Sequence, residues 1–120
     1  MSLQLQTEEM PGYLAARFTG AGVRGEASQQ FELIAEQCKR TENKKLLIDI
    51  TGYSVKVLLA DRFFFGERLR IFALYKIKVA FVCTPEQLDP KKFGMLVAQN
   101  RGVDVEAFVD FQAAEKWLLG

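Results

Sequence analysis

The sequence contains no histidine. Its absence excludes histidine-based catalytic triads, histidine metal ligands and histidine general bases. Cysteine is almost as scarce, since Cys38 and Cys83 are the only two, and they lie far apart in no metal-ligand spacing. One falls on an apolar helix stripe and the other at the end of an apolar strand. This placement favours two reduced core thiols in a cytosolic protein.

Charge of one sign is not in excess, and no long hydrophobic run occurs. Lys and Arg number 16 against 15 Asp and Glu, so the net charge is +1, which does not indicate a nucleic-acid partner. No apolar run approaches the roughly 20 residues that a membrane span needs, and no secretory signal precedes the first strand. A length of 120 residues suits one domain over residues 1–120. We expect a cytoplasmic protein, with peripheral membrane contact as an open alternative.

Two runs that alternate apolar and polar residues begin the chain, at residues 3–9 and 13–19, on either side of Pro11-Gly12. This pattern predicts a β-hairpin at a sheet edge. Arg17, in the second run, indicates a strand that is not covered on both faces. An amphipathic helix is predicted next, over residues 26–40.

Short apolar runs at residues 46–49 and 79–83 predict buried parallel strands, the first of them in the middle of the sheet. Residues 103–109 alternate and predict a last strand at an edge, after which Asp110 caps a terminal helix. The order β-β-α-β-α-β-α-β-α predicts an α/β fold. We expect a five-stranded mixed sheet, with an N-terminal antiparallel hairpin followed by parallel strands, and four main helices.

The segment between the last two strands carries helix-start signals. Thr84-Pro85 with Gln87 fits a capping box, and Asp89-Pro90 repeats the signal. We therefore expect a short turn and then a helix over residues 90–100. The inner stripe of this helix is predicted to be Phe93, Leu96, Val97 and Asn100.

The motif closest to a nucleotide site is residues 20–25, which fit G-x-G-x-x-G between a strand and a helix. A dinucleotide fingerprint requires a fully buried first strand, whereas this strand carries Arg17. Asp49, the acid in the place of a ribose ligand, lies farther away than the ~20 residues expected. We interpret the segment as a flexible β–α loop and expect no cofactor and no metal site.

A helix-length segment over residues 54–75 is apolar on nearly all sides. A helix packed on one sheet face needs one apolar stripe, and this segment has about two. Leaving a Phe or Leu exposed forgoes roughly 1.5–3 kcal/mol per side chain, a large share of a total stability of about 5–15 kcal/mol. We therefore expect the second face to be covered by another helix of the chain, a protein partner, a second copy in a homodimer, an apolar ligand or a membrane surface.

Asp49, Thr51, Ser54 and Asp61 follow the central strand, at the carboxyl end where open α/β sheets bind ligands. Ser54 is the expected N-cap of the long helix. A phosphate on Ser54 would lie at the positive end of that helix. Capping without phosphorylation is the alternative interpretation.

Three segments and the element order carry a family resemblance. The segments are residues 47–52 (Leu-Ile-Asp-Ile-Thr-Gly), 78–82 (Lys-Val-Ala-Phe-Val) and 108–118, which begins Phe-Val-Asp. Together they resemble the SpoIIAA-like branch of the STAS domains, a bacterial group related to anti-sigma factor antagonists. The resemblance covers nearly the whole chain. It implies a non-enzymatic module that binds a protein partner through the start of the helix after the third strand.

The resemblance also implies a phosphoserine switch, but this chain departs from the pattern. The third strand of the family continues as Asp-Leu-Ser-x-x-x-x-x-Asp-Ser. Asp49-Ile50-Thr51 fits the first part, whereas Val57-Leu58 stands at the second. Neither Val57 nor Leu58 accepts phosphate, so Ser54 or Thr51 could substitute only through a local shift. The same branch resembles the CRAL-TRIO lipid-transfer fold, which implies an apolar ligand or membrane held by a movable helix.

Two functions follow from the sequence: a regulatory module that binds a protein, or a module that binds lipid or another apolar ligand and associates with a membrane. Both would use the same helix, and its arginines beside phenylalanines would suit anionic headgroups. No residue is assigned a catalytic role. The expected interacting residues are Leu59, Arg62, Phe63, Phe64, Phe65 and Arg68, and the candidate phosphoacceptors are Ser54 and Thr51.

Overall fold

The computed structural model describes residues 3–120. Its strands form one sheet in the order β1-β2-β3-β4-β5, in which β1 is antiparallel to β2 and every later pair is parallel. The predicted mixed five-stranded sheet, with the third strand in the middle, is confirmed. The strands are β1 (Gln4–Met10), β2 (Tyr13–Ala21), β3 (Lys45–Ser54), β4 (Lys78–Val82) and β5 (Val105–Phe108).

Four main helices accompany the sheet, as predicted. A 3₁₀ turn (Ser28–Gln30) precedes the first of them. A five-residue helix, α3, continues α2 after a break at Leu69. The helices are α1 (Phe31–Arg40), α2 (Leu59–Arg68), α3 (Arg70–Leu74), α4 (Phe93–Asn100) and α5 (Phe111–Leu119).

The order of the strands decides which face each helix covers. Parallel strands are added in one direction from β2 to β5, and crossovers of the same hand place their helices on the same face. The main core accordingly joins α1, α2, α3 and α4 to one face of the sheet. The other face has a smaller core, which α5 covers. The residues of this smaller core are Tyr13, Leu47, Ala80, Val82, Ala114 and Leu118.

The central strand is longer than predicted. The apolar run that predicted this strand ends at residue 49, but β3 continues to Ser54. The extension forms because β2 also continues: beyond a register shift, Thr19 pairs with Gly52 and Ala21 with Ser54. Tyr53 is buried in this extension and meets the ring of Phe18 edge-on, with ring centroids 6.1 Å apart.

The prediction of one helix over residues 54–75, capped by Ser54, is wrong. Ser54 ends β3, and α2 begins only at Leu59. The carboxylate of Asp61 stabilises the start of α2 instead, because it accepts a hydrogen bond of 2.8 Å from the backbone N–H of Leu58. The buried Leu69 then interrupts the helix, where the N–H of Phe72 donates to the carbonyl only three residues back (3.0 Å).

The helix expected over residues 90–100 begins later, at Phe93. Asp89 accepts the hydrogen bond of the Phe93 N–H at 2.8 Å, and Lys92 between them adopts a left-handed conformation with φ of 48°. The predicted inner stripe is wrong at Leu96 and Asn100, which are exposed. The reason is that α4 packs against both the sheet and α2. Its buried residues are Gly94, Met95, Val97 and Ala98.

The last two elements agree more closely with the sequence. β5 ends at Phe108, so Val109 is exposed rather than part of the strand. Asp110 caps α5 as expected and accepts a hydrogen bond of 3.3 Å from the N–H of Gln112. Arg17 lies on the sheet face that α5 covers only in part, and its side chain is exposed, as the sequence indicated.

Candidate functional site

The start of α2 exposes a group of apolar side chains. Gly66 is the only buried residue of this helix. The exposed fraction reaches 67% for Leu59 and 57% for Phe64. Phe63 packs edge-on against Phe64, with ring centroids 5.5 Å apart. We define the α2 surface as the exposed residues Val57, Leu58, Leu59, Phe63 and Phe64.

Phe65 faces the protein interior, whereas Phe63 and Phe64 face solvent. Its ring lies 5.3 Å from that of Phe31 and 5.3 Å from that of Phe81, measured between centroids. Phe65 therefore connects α2 to α1 and to the sheet. The sequence grouped all three phenylalanines on one interacting face, and the structure separates the third from the other two.

Two glycines set the distance between α2 and α4. A Cβ atom on Gly66 would lie 2.8 Å from Cβ of Val97, and one on Gly94 would lie 3.2 Å from the backbone oxygen of Arg62. The two helix backbones thus approach more closely than any side chain would allow. This close packing holds α2 beside α4.

Ion pairs tie both ends of α2 to the rest of the molecule. At its start, Arg24 donates two hydrogen bonds to Asp61, of 2.9 and 3.1 Å. Hydrogen bonding by Arg24, and then by the Leu58 N–H, lowers the pKa of the Asp61 carboxyl. At its end, Glu67 pairs with Arg101. Arg68 also turns toward the protein and donates a hydrogen bond of 2.9 Å to the hydroxyl of Ser28.

Arg62 connects α2 to the segment before α4. Its Nη1 lies 3.5 Å from Oδ1 of Asp89. The same carboxylate accepts from the backbone N–H groups of Phe93 and Lys91, and the bond from Phe93 is the main cause that lowers the pKa of Asp89. One acidic side chain thus caps α4 and holds α2.

A cavity of about 510 Å³ lies beneath α2. It is bounded by the carboxyl ends of β3, β4 and β5, by α2 and α4, and by the turn at residues 84–89. This is the edge of a parallel sheet at which α/β proteins bind ligands, and the volume falls within the usual range of about 300–1,000 Å³ for small-molecule sites. Its main apolar lining consists of Ile50, Val55, Phe65, Phe81, Met95 and Ala107.

Gln87 closes the cavity on the side of β3. Its Nε2 donates to the carbonyl oxygens of Ile50 (2.7 Å) and Tyr53 (2.8 Å), and its Oε1 accepts from the N–H of Thr84 (2.8 Å). The capping-box residues Thr84 and Gln87 therefore bond to each other, and they form the short turn that the sequence predicted before the helix.

The polar cluster expected after the central strand is divided. Thr51 donates its hydroxyl hydrogen to Oδ1 of Asp49 at 2.7 Å, and Asp49 lies 3.7 Å from Arg17 on the face of the sheet away from α2. Asp61 belongs to the start of α2 instead. Ser54 is exposed at the end of β3, next to the segment that leads into the α2 surface.

The glycine-rich segment does not form a phosphate cradle. The N–H of Gly22 donates to the carbonyl of Ser54 at 2.9 Å, which continues the pairing of β2 and β3. The space that a side chain at Gly22 would occupy is filled by the Tyr53 hydroxyl and the Glu26 carboxylate. Both cysteines are buried and free, and burial raises the pKa of the Cys38 thiol to about 11.

The described part of the chain lacks both a metal-binding cluster and a membrane-spanning helix. Residues 3–120 contain no group of three His, Cys, Asp or Glu side chains placed to hold a metal ion. No helix within them has the length and apolar character needed to cross a bilayer.

The sequence identified the helix but missed the residues that position it. The exposed Leu59, Phe63 and Phe64 lie together as expected, whereas Phe65 and Arg68 face the protein. Sequence reasoning missed Arg24, Gln87 and Asp89. The helix-start patterns at Thr84 and Asp89 were a usable signal for the last two, because such side chains accept or donate backbone hydrogen bonds even where no helix follows. Arg24 carried no local signal.

No protein-family model matches the chain, and no curated protein matches it. Among solved structures, an uncharacterized protein of the DUF3478 family with a SpoIIAA-like fold, from Shewanella loihica PV-4, is 20% identical, with a TM-score of 0.56 over 98% of this chain and 94% of that chain. An anti-sigma factor antagonist from Mycobacterium paratuberculosis is 10% identical, with a TM-score of 0.64 over 99% of this chain and 96% of that chain. The chain has a SpoIIAA-like fold, which confirms the fold that the resemblance implied.

Proposed function

We propose that this chain is a non-enzymatic regulatory module over residues 1–120, which binds a protein partner through the α2 surface. The observation that carries the proposal is the exposure of five apolar side chains at the start of α2, directly after the central strand. A protein of the same fold is an anti-sigma factor antagonist. Such an antagonist is a regulatory protein. We propose no catalytic residue.

The energetics favour a partner over permanent exposure. Covering a Leu or Phe side chain gains roughly 1.5–3 kcal/mol, and aromatic residues dominate the binding energy of protein interfaces. Phe63 and Phe64 would form the centre of the interface. The neighbouring pairs Arg24–Asp61 and Arg62–Asp89 would form its polar rim.

We further propose Ser54, rather than Thr51, as the phosphoacceptor of this module. Ser54 is exposed beside the segment that leads into the α2 surface. A phosphate there would add about two negative charges next to the apolar residues that the partner covers. A phosphate on Thr51 would replace its hydrogen bond to Asp49 and repel that carboxylate.

The test is a comparison of matched alanine variants. Phe64→Ala removes an exposed aromatic residue from the α2 surface, and Leu33→Ala removes an apolar residue that is equally exposed on α1. A protein captured by the unaltered chain should be purified and its affinity measured by calorimetry. We expect Phe64→Ala to weaken binding at least about tenfold, as loss of a hot-spot residue does, and Ser54→Asp to weaken it as well. Equal affinity of the two alanine variants would contradict the proposed surface.

A second candidate function is binding of a lipid or another apolar ligand, with peripheral membrane contact. The cavity of about 510 Å³ beneath α2 favours it, and Phe63 and Phe64 lie on the outer side of the same helix. Co-sedimentation with anionic liposomes tests membrane contact. Phe63→Ser with Phe64→Ser should abolish co-sedimentation and Leu33→Ser should not. Light scattering in the same buffer identifies the remaining alternative, a homodimer that covers the α2 surface.

A further inference from the structure

We propose that the cavity beneath α2 takes a small uncharged apolar molecule and discriminates against charged amphiphiles, including anionic lipids. The proposal rests on the second candidate function and specifies the chemistry of the ligand. It follows from the charges and hydrogen-bonding groups that surround the cavity.

The cations at the cavity are already neutralised by the protein. Arg62 lies 3.5 Å from Asp89, and Lys92 lies 3.1 Å from Glu106. The carboxylate of Asp89 also accepts hydrogen bonds from backbone N–H groups, which lower its pKa. It therefore remains ionised and paired with Arg62. An anionic headgroup would have to displace a carboxylate of the protein from each cation.

The remaining charge at the cavity repels anions. Glu86 lies at its exposed edge and makes no ion pair with any of residues 3–120. Because this carboxylate is exposed to water, its repulsion of an anion and its attraction for a cation are both screened. The charges at the cavity thus disfavour an anion and offer a cation little compensation for the loss of its hydration.

The interior offers no free polar group to a charged ligand. Each polar atom of the Gln87 amide is bonded to the backbone of Ile50, Tyr53 or Thr84. The Cys83 thiol donates to the carbonyl of Phe108 at 3.5 Å, and burial raises its pKa. The hydroxyl of Ser54, at the exposed rim, remains available to a ligand hydroxyl. An uncharged molecule with at most one small polar end fits this arrangement.

A ligand in the cavity would touch the helix that bears the α2 surface. Phe65 lines the cavity and is the aromatic residue of α2 that packs on the main core. The cavity wall also includes Val57, which belongs to the α2 surface. Occupancy of the cavity and the position of the α2 surface are therefore linked through α2.

The test uses three ligands that share one chain and differ in charge. The uncharged dye N-phenyl-1-naphthylamine reports occupancy by its fluorescence, and 1-decanol, decanoate and decylammonium compete with it near neutral pH, where the last two are ionised. We expect decanol to displace the dye at a concentration at least about tenfold lower than either ion, since a buried unpaired charge is strongly unfavourable.

Two substitutions locate the binding. Val55→Phe fills part of the cavity, and Val109→Phe makes the same change at an exposed valine outside it. We expect the first to weaken dye and decanol binding and the second to leave both unchanged. Should Val55→Phe fail to fold, Ala107→Leu fills the cavity from β5, and the three-ligand comparison needs no variant.

The proposal is overturned if neither dye nor decanol binds, if either ion competes as well as decanol, or if Val109→Phe weakens binding as much as Val55→Phe. Preference for decanoate would refute the ligand chemistry but leave a lipid-binding function in place. Failure of all three ligands would remove the cavity site, while the effect of Phe64→Ala on a protein partner would remain a separate measurement.

Discussion

At the scale of single residues, Phe63, Phe64 and Phe65 are consecutive but have different surroundings. Successive helical residues are rotated by about 100°, so three neighbours cannot share one environment. Phe65 packs against Phe31 and Phe81, whereas Phe64 remains 57% exposed. The contact of Gly66 with α4 fixes the rotation of α2 about its own axis, and this rotation sets the direction of each ring. Single substitutions on α2 therefore report on either the core or the surface, and not on both.

Gly66→Ala is expected to destabilise the protein, although alanine is the better helix former. A Cβ at this position would meet Val97 at 2.8 Å, and its insertion should lower the unfolding free energy by about 1–3 kcal/mol. Urea denaturation measures the change. Ala60→Gly, at an exposed position of α2, should cost about 0.5–1 kcal/mol through helix propensity alone. A gain in stability for Gly66→Ala would contradict the close approach of α2 and α4.

Tyr13 is expected to make the protein less stable in alkali. Burial, and then the hydrogen bond of 2.7 Å to Glu115, raises the pKa of Tyr13 to about 12. The unfolded chain loses this proton at about pH 10, so the contribution of Tyr13 is fully present below that pH. It is lost as the pH rises from about 10 to 12.

Unfolding by urea at a series of alkaline pH values measures this dependence. Tyr13→Phe should show a shallower fall in unfolding free energy above pH 10, because the titrating group has been removed. Tyr75→Phe makes the same substitution at a tyrosine that is only partly buried, and it serves as the matched control. An unaltered slope in Tyr13→Phe would contradict the assignment.

At the scale of elements, α2 is attached by few buried side chains, by close backbone packing against α4 and by ion pairs. Gly66 is its only buried residue, and the pairs with Arg24, Asp89 and Arg101 supplement Phe65. Exposed ion pairs contribute little each, typically about 0–1 kcal/mol. An element attached in this way is expected to open at a lower free energy than the buried core, so α2 is the helix expected to move when a ligand enters the cavity beneath it.

Gln87→Ala is expected to loosen the turn that closes the cavity. The substitution leaves the carbonyl groups of Ile50 and Tyr53 without their side-chain donor. Loss of buried hydrogen bonds of this kind lowers the unfolding free energy by about 1–3 kcal/mol. Thermal and urea denaturation measure it. Glu86→Ala changes the exposed neighbour and should stay within about 0.5 kcal/mol; equal effects would mean that the Gln87 bonds contribute nothing.

At the scale of the whole molecule, the two faces of the sheet are covered unequally. Because the parallel strands are added in one direction, α1, α2, α3 and α4 crowd one face, and α5 covers the other. The smaller core consists of few residues, so each of them contributes a larger share of its buried apolar surface. The same order leaves no point at which the direction of strand addition reverses, which is where dinucleotide sites form. The glycine-rich segment at residues 20–25 is accordingly used for β2–β3 pairing.

Leu118→Ala should show how much the smaller core contributes. Leu118 lies on α5 and is fully buried against the sheet, and truncation of a buried leucine lowers the unfolding free energy by about 2–5 kcal/mol. The adjacent Leu119 is 43% exposed, and its truncation should cost less than about 1 kcal/mol. Chemical denaturation compares the two. Similar losses for both variants would contradict the position of α5 on the sheet.

Much of the fold could be predicted because its signals are local. Period-2 runs gave the hairpin, continuous apolar runs gave the buried strands, and Asp110 marked the start of α5. The candidate site was predicted in part. The excess of apolar residues in the segment after β3 indicated a helix with a second apolar face that needs a cover, and Leu59, Phe63 and Phe64 are exposed in this chain. Ser54 was misassigned as a cap because its role depends on how far β2 pairs with β3, which no local pattern records.

The sequence by itself determined the order of strands and helices and the surplus of apolar residues on the helix after the central strand. Both depend on periodicities read over a few turns or a few strand residues. The tertiary structure alone decided where α2 begins, which phenylalanine faces inward and that a cavity lies beneath the helix. Those features depend on contacts between distant residues, such as Arg24 with Asp61, Arg62 with Asp89 and Gly66 with Gly94. Such contacts form only once the sheet has brought the segments together.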